Sequence, residues 1–391
     1  MISFIIPSYN NLQHLKNVYA SIQKYAPSAE VILLDDGSTD GSWEWMQHIE
    51  KQPGNTTRIV RSKERVGHTI LYDTGIDLAT NEIVGILHAD MILGPNYIEN
   101  MIKHLQPGNV VCATRIEPPL HPAGKEKIIM DFGMDFDTLD IDAFEQFVVD
   151  AQGQYKDQTT TGMFAPWIIY KKDFQAIGGH DPLFAPFPYE DSDIFQRWIL
   201  AGYKLIQSRD AFVYHLTCRG HRWTDTIGKD DEYFKVASAR AAKNYIRKWG
   251  SWIKNDELQH PIINSKYNIA FQVTNCNMTL LQTLEPWCDR IYIDDGMQTL
   301  IDSYIETEQP NTLLDLTKRV FCIGYNDPAG ENNIVVSIDG NTFTQLDFQY
   351  IQILSEILQD SGQPGTFRLG NCQISIVSLN ATESDLIVCK R

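Results

Sequence analysis

Short apolar strands alternate with amphipathic helices from the N-terminus to about residue 115, and this alternation constrains the fold of the chain more than any other feature. Runs typical of strands occupy residues 3–7, 30–35, 57–61, 83–88 and 110–115, and helical periodicity fills the intervals at about 12–25, 42–50, 69–79 and 95–104. Parallel strands need a crossover of a dozen or more residues, usually a helix. The alternation therefore predicts an α/β fold with a mostly parallel mixed sheet flanked by helices.

The pattern loosens after residue 117 and restarts near residue 268. Residues 117–161 carry prolines and a cluster of acidic and aromatic side chains, so we expect an excursion from the sheet there. Further elements are predicted downstream: a strand at 164–170, helices at 172–177 and 189–201, a strand at 205–215 and a loop at 217–231. From residue 260 to the end there are 16 acidic and 7 basic residues, a net charge of −9 in a chain whose total is −17. We therefore predict two domains, 1–255 and a smaller α/β domain at 256–391.

The composition is that of a folded protein and argues against several functions. With 43% hydrophobic and 21% charged residues, the chain can bury a proper core. A net charge of −17 disfavours a nucleic-acid partner, because neutralising phosphates needs clustered Lys and Arg. The longest apolar runs, such as 31–34 and 83–87, are far shorter than the ~20 residues of a membrane-spanning helix. The N-terminus lacks the basic segment of a signal peptide, and the seven cysteines have no paired spacing, so we expect a cytoplasmic protein with reduced thiols.

Polar groups follow the strands of the predicted sheet at the points where they end. Ile5-Ile6-Pro7-Ser8-Tyr9-Asn10 closes the first strand, and Asp35-Asp36-Gly37-Ser38-Thr39-Asp40 closes the second. Ligands of open α/β sheets bind at this edge, where paired carboxylates can accept hydrogen bonds from a base or a ribose; a plain turn with a helix cap is an equally good interpretation. His88-Ala89-Asp90 adds an imidazole and a carboxylate at the same edge, a combination suited to Mg²⁺ or Mn²⁺ bridging a diphosphate.

Taken in order, these motifs resemble the family 2 glycosyltransferases, which are inverting GT-A enzymes that use nucleotide sugars. The resemblance covers residues 3–215. His88-Ala89-Asp90 stands where the family has its DxD motif, and residues 174–179 with 189–193 resemble its GG…ED acceptor region. Residues 211–215 resemble the strand that supplies a third metal ligand. The usual first aspartate of DxD is His88 here, and Tyr72-Asp73-Thr74-Gly75 replaces the common Arg-Asn-x-Gly. Gln196-Arg197-Trp198 lacks the spacing of the processive synthases, and we interpret it as helix packing.

The resemblance implies roles for particular residues. Asp191 is the expected base that takes the acceptor proton, with Glu190 orienting the acceptor or capping its helix. Asp90 and His215, with His88 on or near the ion, are the expected ligands of Mn²⁺ or Mg²⁺. The cationic loop after His215 offers a contact to the diphosphate. The expected donor-binding residues are Pro7, Ser8, Tyr9, Asp35, Asp36, Gly67, His88, Ala89 and Arg222.

The function predicted on this basis is transfer of a single sugar, with inversion, from a nucleotide sugar to an acceptor hydroxyl in glycan or polysaccharide synthesis. UDP is the expected nucleotide, from its frequency in the family. Two other functions stay open: a carbohydrate- or nucleotide-binding pseudoenzyme or scaffold, and a sugar nucleotidyltransferase. Residues 256–391 show no comparable motif, so oligomerisation through them, acceptor capture and a degenerate second α/β domain are equally open.

Overall fold

A computed structural model describes residues 1–224, 226–324 and 332–389. The chain forms two compact units: unit 1 comprises 1–238, 255–262 and 388–391, and unit 2 comprises 239–254 and 263–387. The predicted division at 255/256 differs from this partition, because residues 239–254 group with unit 2 and residues 255–262 with unit 1. Helix α8, Glu232–Trp249, therefore contributes residues to both units.

Unit 1 is built on one mixed sheet with helices between its strands. Its strands are β1 Ile2–Ser8, β2 Glu30–Asp35, β3 Arg58–Arg61, β4 Ile83–Ile86, β5 Met91–Leu93, β6 Asn109–Glu117, β7 Lys127–Ile129, β8 Thr159–Thr160, β9 Trp167–Tyr170 and β10 Lys204–His215. Its helices are α1 Leu12–Tyr25, α2 Ser42–Glu50, α3 His68–Leu78, α4 Tyr97–Ile102, α5 Ile141–Tyr155, α6 Lys171–Ala176 and α7 Glu190–Leu200, with a 3₁₀ turn at Pro182–Phe184.

The strand order places several strand ends at one edge. The order is β3-β2-β1-β4-β9-β6-β10-β5, with β7 added to β6 and β8 to β10. Strands β1, β2, β3 and β4 are parallel, and β9 is antiparallel to both β4 and β6. Because β6 and β10 are parallel to each other, both also run in the direction of β4. The carboxyl ends of β1, β2, β4, β6 and β10 therefore meet at the same edge of the sheet.

Apolar side chains on the sheet explain why these segments form strands. β1 and β2 are buried along their whole length, as expected for parallel strands covered on both faces. Their side chains join residues of α1 in one core that includes Phe4, Leu15 and Leu33. The predicted fold class is confirmed.

Residues 117–161 contain two short strands and a helix that were not predicted. They are β7, β8 and α5, and α5 packs Phe144 and Val148 against Phe212 and Tyr214 of β10. The excursion from the sheet is therefore a folded segment with its own apolar contacts.

Gln196-Arg197-Trp198 packs inside α7 as predicted. Arg197 and Trp198 are fully buried, and Arg197 Nε donates to Asp193 Oδ2 at 2.7 Å. The other two nitrogens of the guanidinium donate to the carbonyls of Ile177 at 2.9 Å and Gly179 at 2.6 Å. Arg197 therefore connects α7 through hydrogen bonds to the turn that follows α6.

Unit 2 is a second α/β unit. Its strands are β11 Ile269–Thr274, β12 Arg290–Ile293, β13 Val320–Cys322, β14 Ile334–Asp339, β15 Gly365–Leu369 and β16 Cys372–Ile376. Its further helices are α9 Met278–Leu284, α10 Gln298–Glu308, α11 Gln345–Gln352 and α12 Leu354–Ser361, with 3₁₀ turns at Glu285–Trp287, Gln309–Asn311, Leu316–Lys318 and Glu383–Leu386. The order is β13-β12-β11-β14-β16-β15, parallel from β13 to β14 and antiparallel beyond. The predicted C-terminal α/β organisation is present. Across the described parts of both units, no helix has the length and apolarity to cross a membrane.

Candidate active site

The three predicted metal ligands meet at the carboxyl edge of the unit 1 sheet. His88 and Asp90 follow β4, and His215 ends β10, where its backbone pairs with that of Met91. His215 Nε2 lies 3.6 Å from Asp90 Oδ1, and the rings of His88 and His215 are 5.5 Å apart between centroids. One possible ligand atom from each residue lies within 4.8 Å of the other two. Asp90 and His215 are far apart in the sequence, and the pairing of β5 with β10 is what brings them together.

The hydrogen bonds of His215 leave one of its nitrogens free to bind a ligand. Nδ1 donates to Glu117 Oε1 at 3.0 Å, so Nε2 is the nitrogen that remains for a ligand. Nε2 is buried and has no hydrogen-bond partner among the described residues. An orphaned buried nitrogen beside a carboxylate fits a metal ligand. Two imidazoles with one carboxylate suit Mn²⁺ better than Mg²⁺, which prefers oxygen ligands.

Glu117 is held as an anion behind His215. Arg115 Nη1 lies 2.6 Å from Glu117 Oε1, and Lys127 Nζ lies 2.8 Å from Oε2. Burial opposes ionisation, but the hydrogen bonds from His215 and Lys127 and the charge of Arg115 together outweigh it and hold the pKa of Glu117 well below its usual range. A carboxylate in this position fixes the tautomer and the orientation of the ring.

His88 and Asp90 are also prepared for this role. Burial, together with the neighbouring His215, lowers the pKa of His88 well below its ordinary value, so its ring is neutral at pH 7. The backbone N–H of Arg219 donates to Asp90 Oδ2 at 3.1 Å, and that of Leu216 donates to the Asp90 carbonyl at 3.0 Å. Asp90 is thus oriented by the chain that follows β10.

Asp36 connects the second strand to the segment before α3. Its two oxygens accept hydrogen bonds from the backbone N–H groups of Val66 at 2.7 Å and Gly67 at 3.0 Å. Gly67 has a φ of +85°, and a Cβ there would lie 2.2 Å from Cβ of Pro186. The predicted donor-binding residues Asp36 and Gly67 are therefore in direct contact.

The other predicted donor-binding residues of β1 and β2 lie at the same edge. Pro7 and Ser8 pair with Leu34 and Asp35 in the parallel ladder. Asp35 Oδ2 lies 3.1 Å from Nε of Arg61. Ala89, also predicted, is buried and stands between the candidate ligands His88 and Asp90 in the chain.

The ring of Tyr9 is covered on one face by a cation that was not predicted. The guanidinium of Arg65 lies 3.9 Å from the Tyr9 centroid and 4.4 Å from that of Tyr233. Its Nε also lies 3.9 Å from Asp36 Oδ2. Arg65 therefore joins Tyr9 to Asp36, both of which were predicted to bind the donor.

Glu190 and Asp191 begin α7 after a turn in a left-handed conformation. The preceding residue, Tyr189, has a φ of +83°, which is uncommon for a bulky side chain. Glu190 Oε1 accepts a hydrogen bond from His68 Nε2 at 2.6 Å. Glu190 Oε2 and Asp191 Oδ1 are both buried without a hydrogen-bond partner in the described part of the chain. Each carboxylate therefore offers one oxygen that could accept a proton.

Electrostatics separate the two carboxylates. Burial, and then the charge of Glu190, raise the pKa of Asp191 toward neutrality. For Glu190, burial acts in the same direction, but the charge of His68 and its hydrogen bond together outweigh it and lower the pKa of Glu190. Neighbouring acids whose pKa values are pushed apart are typical of acid–base sites, and Asp191 is the stronger base of this pair.

The predicted donor-binding residue Arg222 and its neighbours in the loop after β10 have contacts within the protein. Arg222, the expected diphosphate contact, forms an ion pair with Asp230 at 2.6 Å. His221 lies among aromatic rings, and burial lowers the pKa of His221 to about 4. Trp223 stacks on His121 with 5.2 Å between centroids. Asp230 thus engages Nε and Nη2 of Arg222, and contact between Arg222 and a diphosphate stays a prediction.

Sequence reasoning missed His68, Arg65 and Glu117. His68 and Arg65 lie within two residues of Gly67 in the sequence. Gly67 was a predicted donor-binding residue, so its position could have pointed to both of them. Glu117 gave no sequence signal, because its contact with His215 depends on the pairing of β6 with β10.

A comparison with protein-family models finds a match for the first part of this chain. Residues 3–166 match the model described as glycosyl transferase family 2. Residues 3–166 belong to that family. The family 2 segment contains β1, β2, β4 and β6 with His88 and Asp90, whereas His215 and Asp191 lie beyond the matched residues.

Relatives of the family 2 segment have glycosyltransferase names. Glycosyltransferase GlyG of Streptococcus pneumoniae is 32% identical over 107 residues, 27% of this chain and 35% of that protein. Dodecaprenyl-phosphate galacturonate synthase of Rhizobium johnstonii is 28% identical over 109 residues, 27% of this chain and 32% of that protein. The matches thus span about a third of the length of these relatives.

A comparison with solved structures finds a match to the mannosyltransferase PcManGT from Pyrobaculum calidifontis in complex with GDP-Man and Mn²⁺. It is 19% identical, with a TM-score of 0.43, over 63% of this chain and 62% of that chain.

Proposed function

We propose that this protein is a metal-dependent inverting glycosyltransferase that moves one sugar from a nucleotide-sugar donor to an acceptor hydroxyl. The observation that carries the proposal is the meeting of His88, Asp90 and His215 at the carboxyl edge of a family 2 domain. UDP is the nucleotide proposed, on the resemblance alone.

His88, Asp90 and His215 would hold the ion, with Mn²⁺ favoured by the two imidazoles. When bound, such an ion supplies Lewis-acid neutralisation of the charge on a departing diphosphate. Donor binding and the orientation of the ligands are assigned to other residues at this edge of the sheet. Asp36 and Tyr9 contribute to the donor side, and Glu117 fixes the orientation of His215.

Asp191 is proposed to act as the general base. The acceptor oxygen forms a bond to the anomeric carbon while the bond from that carbon to the diphosphate oxygen breaks and its electron pair leaves with the nucleotide. The acceptor proton passes to the carboxylate of Asp191. One displacement of this kind inverts the anomeric configuration.

The environment of Asp191 favours a hydroxyl acceptor over a phosphate acceptor. A hydroxyl must lose a proton during transfer, whereas a phosphate monoester is already ionised near neutral pH, since its second pKa is about 6. Asp191 has a buried carboxylate oxygen without a partner in the described structure, which can accept the proton of a hydroxyl acceptor. A phosphate acceptor would not need such a base. A sugar hydroxyl of a glycan is therefore proposed as the acceptor, rather than a phosphate such as the dodecaprenyl phosphate in the name of the Rhizobium relative.

The first test incubates the protein with Mn²⁺ and a panel of nucleotide sugars, and measures the release of nucleotide from each. We expect slow hydrolysis of one donor. Chemistry that forms pyrophosphate would instead indicate a nucleotidyltransferase, and binding without turnover would indicate a carbohydrate- or nucleotide-binding scaffold.

The second test is Asp191→Asn, which keeps size but cannot accept the proton. We expect the rate of transfer to fall by a factor of about 10²–10⁴, while the affinity for the donor stays within a few-fold of the wild type. In the wild-type product, NMR should show the inverted anomer. A retained anomer, or transfer by Asp191→Asn near the wild-type rate, would contradict the assignment of the base.

A further inference from the structure

His68 and Glu190 form a largely buried pair that the transfer mechanism above does not use. His68 begins α3 and Glu190 begins α7, so the pair joins two helix N-termini. The side chains are 21% and 7% exposed, and His68 Nε2 lies 2.6 Å from Glu190 Oε1. The ring of His68 stacks on Phe187 with 5.4 Å between centroids and lies edge-on to His221 at 5.7 Å. These contacts fix where the imidazole lies.

The groups around His68 are mainly acidic. Glu190 and Asp191 face it from α7, and Asp36 faces it from the end of β2. The other titratable groups nearby are Tyr72 on α3, Arg65 before α3, which lies 5.4 Å from the Phe187 centroid, His180, which acts on both carboxylates, and the neutral His221 and His88. Burial lowers the pKa of His68, but the charge and hydrogen bond of Glu190 and the charges of the two aspartates together outweigh it, so the net shift is upward.

We propose that protonated His68 is a positioning residue for glycosyl transfer, which holds Glu190 as an anion so that the acceptor proton goes to Asp191. This inference rests on the proposed function. Glu190 and Asp191 are adjacent carboxylates, and each has one buried oxygen without a partner in the described structure. The hydrogen bond and positive charge of His68 stabilise the negative charge of Glu190, which leaves Asp191 as the stronger base.

The two members of the pair act on Asp191 in opposite directions. The charge of Glu190 raises the pKa of Asp191, and the charge of His68, together with that of His180, lowers it. Removing His68 therefore makes the carboxylates bind a proton more tightly, whereas removing the charge of Glu190 makes Asp191 bind it less tightly. Asp191 must be ionised to act as a base, so kcat/KM falls at low pH as Asp191 becomes protonated. Loss of His68 moves this fall to higher pH, and loss of the Glu190 charge moves it to lower pH.

The kinetic test measures the pH dependence of kcat/KM. We expect the acid limb to move up by about one pH unit in His68→Gln and down by a similar amount in Glu190→Gln, since a neighbouring charge shifts a pKa by about 1–3 units. His68→Lys keeps a cation and should restore the wild-type limb. Tyr72→Phe is the matched control, because its ring contacts His68 at 5.5 Å and the change removes no charge. Equal loss of activity at every pH in His68→Gln would indicate a purely structural role and overturn the proposal.

A second measurement does not depend on activity. NMR titration of the His68 ring in the unliganded protein should show a pKa above the ordinary 6.5, and Glu190→Gln should lower it. A ring that titrates at or below the ordinary value would overturn the proposal even if transfer is observed. Absence of transfer by the wild-type protein with every donor would instead overturn the proposed function, while the titration still tests the pair.

Discussion

At the scale of single residues, the candidate metal ligands depend on a partner that lies on another strand. The register of β6 with β10 brings Glu117 to Nδ1 of His215, and the opposite nitrogen then faces Asp90. The motif order in the sequence was enough to predict His88, Asp90 and His215 as a group. It could not predict Glu117, because a hydrogen bond between two strands depends on register rather than on local pattern.

Removal of this carboxylate tests the arrangement. Glu117→Gln keeps the size of the side chain but loses the charge that orients His215, so we expect affinity for Mn²⁺ to fall by about 10- to 100-fold. Asp90→Asn removes a direct ligand and should lower the affinity further, with little change in thermal unfolding. Calorimetric titration with Mn²⁺ measures both. Unchanged affinity in Asp90→Asn would place the ion elsewhere.

At the scale of elements, the N-terminus of α3 is held by close contact with the turn before α7. Gly67 has both a positive φ and no room for a side chain, because Pro186 lies against it. The hydroxyl of Thr69 also donates to the carbonyl of Pro186 at 3.0 Å. These contacts keep His68 opposite Glu190.

Gly67→Ala should therefore destabilise unit 1 by two effects. Gly67 has φ +85° and ψ 161°, a backbone region that is essentially limited to glycine and costs an L-residue about 1–3 kcal/mol. Overpacking against Pro186 adds about 1–3 kcal/mol. Gly202→Ala is the control, since Gly202 has the same φ of +85° and nothing within 4 Å of the added Cβ. Denaturant unfolding compares the two variants. Equal losses of stability would mean that Pro186 moves away without cost.

The elements themselves were predicted with unequal success, for physical reasons. β1, α1, β2 and α2 were found almost at their predicted bounds because their apolar periodicity is strong. Strand β5 was missed because three residues are too few to show a period. α5 was missed because its segment is rich in acidic residues, although one face buries Phe144 and Val148.

At the scale of the whole molecule, the two units share a topology. The order β3-β2-β1-β4 in unit 1 matches β13-β12-β11-β14 in unit 2. Asp35-Asp36-Gly37 and Asp294-Asp295-Gly296 each stand at the end of the second strand of their unit. The two units therefore have in common the order of four strands and the position of an Asp-Asp-Gly sequence. In the described residues, however, a His/Asp cluster able to hold an ion is found at His88, Asp90 and His215 and has no counterpart in unit 2.

The core of unit 2 contains a buried charge network that allows the two units to be tested separately. The side chain of Arg247 is fully buried, with Nη2 at 2.7 Å from Glu285 Oε2 and 2.8 Å from Glu308 Oε1. Arg319 Nε lies 2.6 Å from the other oxygen of Glu285. Breaking a buried pair by removing one partner costs about 3–5 kcal/mol, because the remaining charge loses its compensation.

Arg247→Ala should therefore lower the thermal unfolding temperature of unit 2 by about 10 °C, while Mn²⁺-dependent binding of the donor by unit 1 stays within about two-fold. Scanning calorimetry with and without Mn²⁺ and nucleotide separates the units, because a ligand raises only the transition of the unit that binds it. Lys318→Ala is the control: Lys318 is 82% exposed in its ion pair with Asp315, and exposed pairs contribute about 0–1 kcal/mol. Loss of donor binding in Arg247→Ala, with the Lys318 variant unaffected, would show that the site in unit 1 depends on the folding of unit 2.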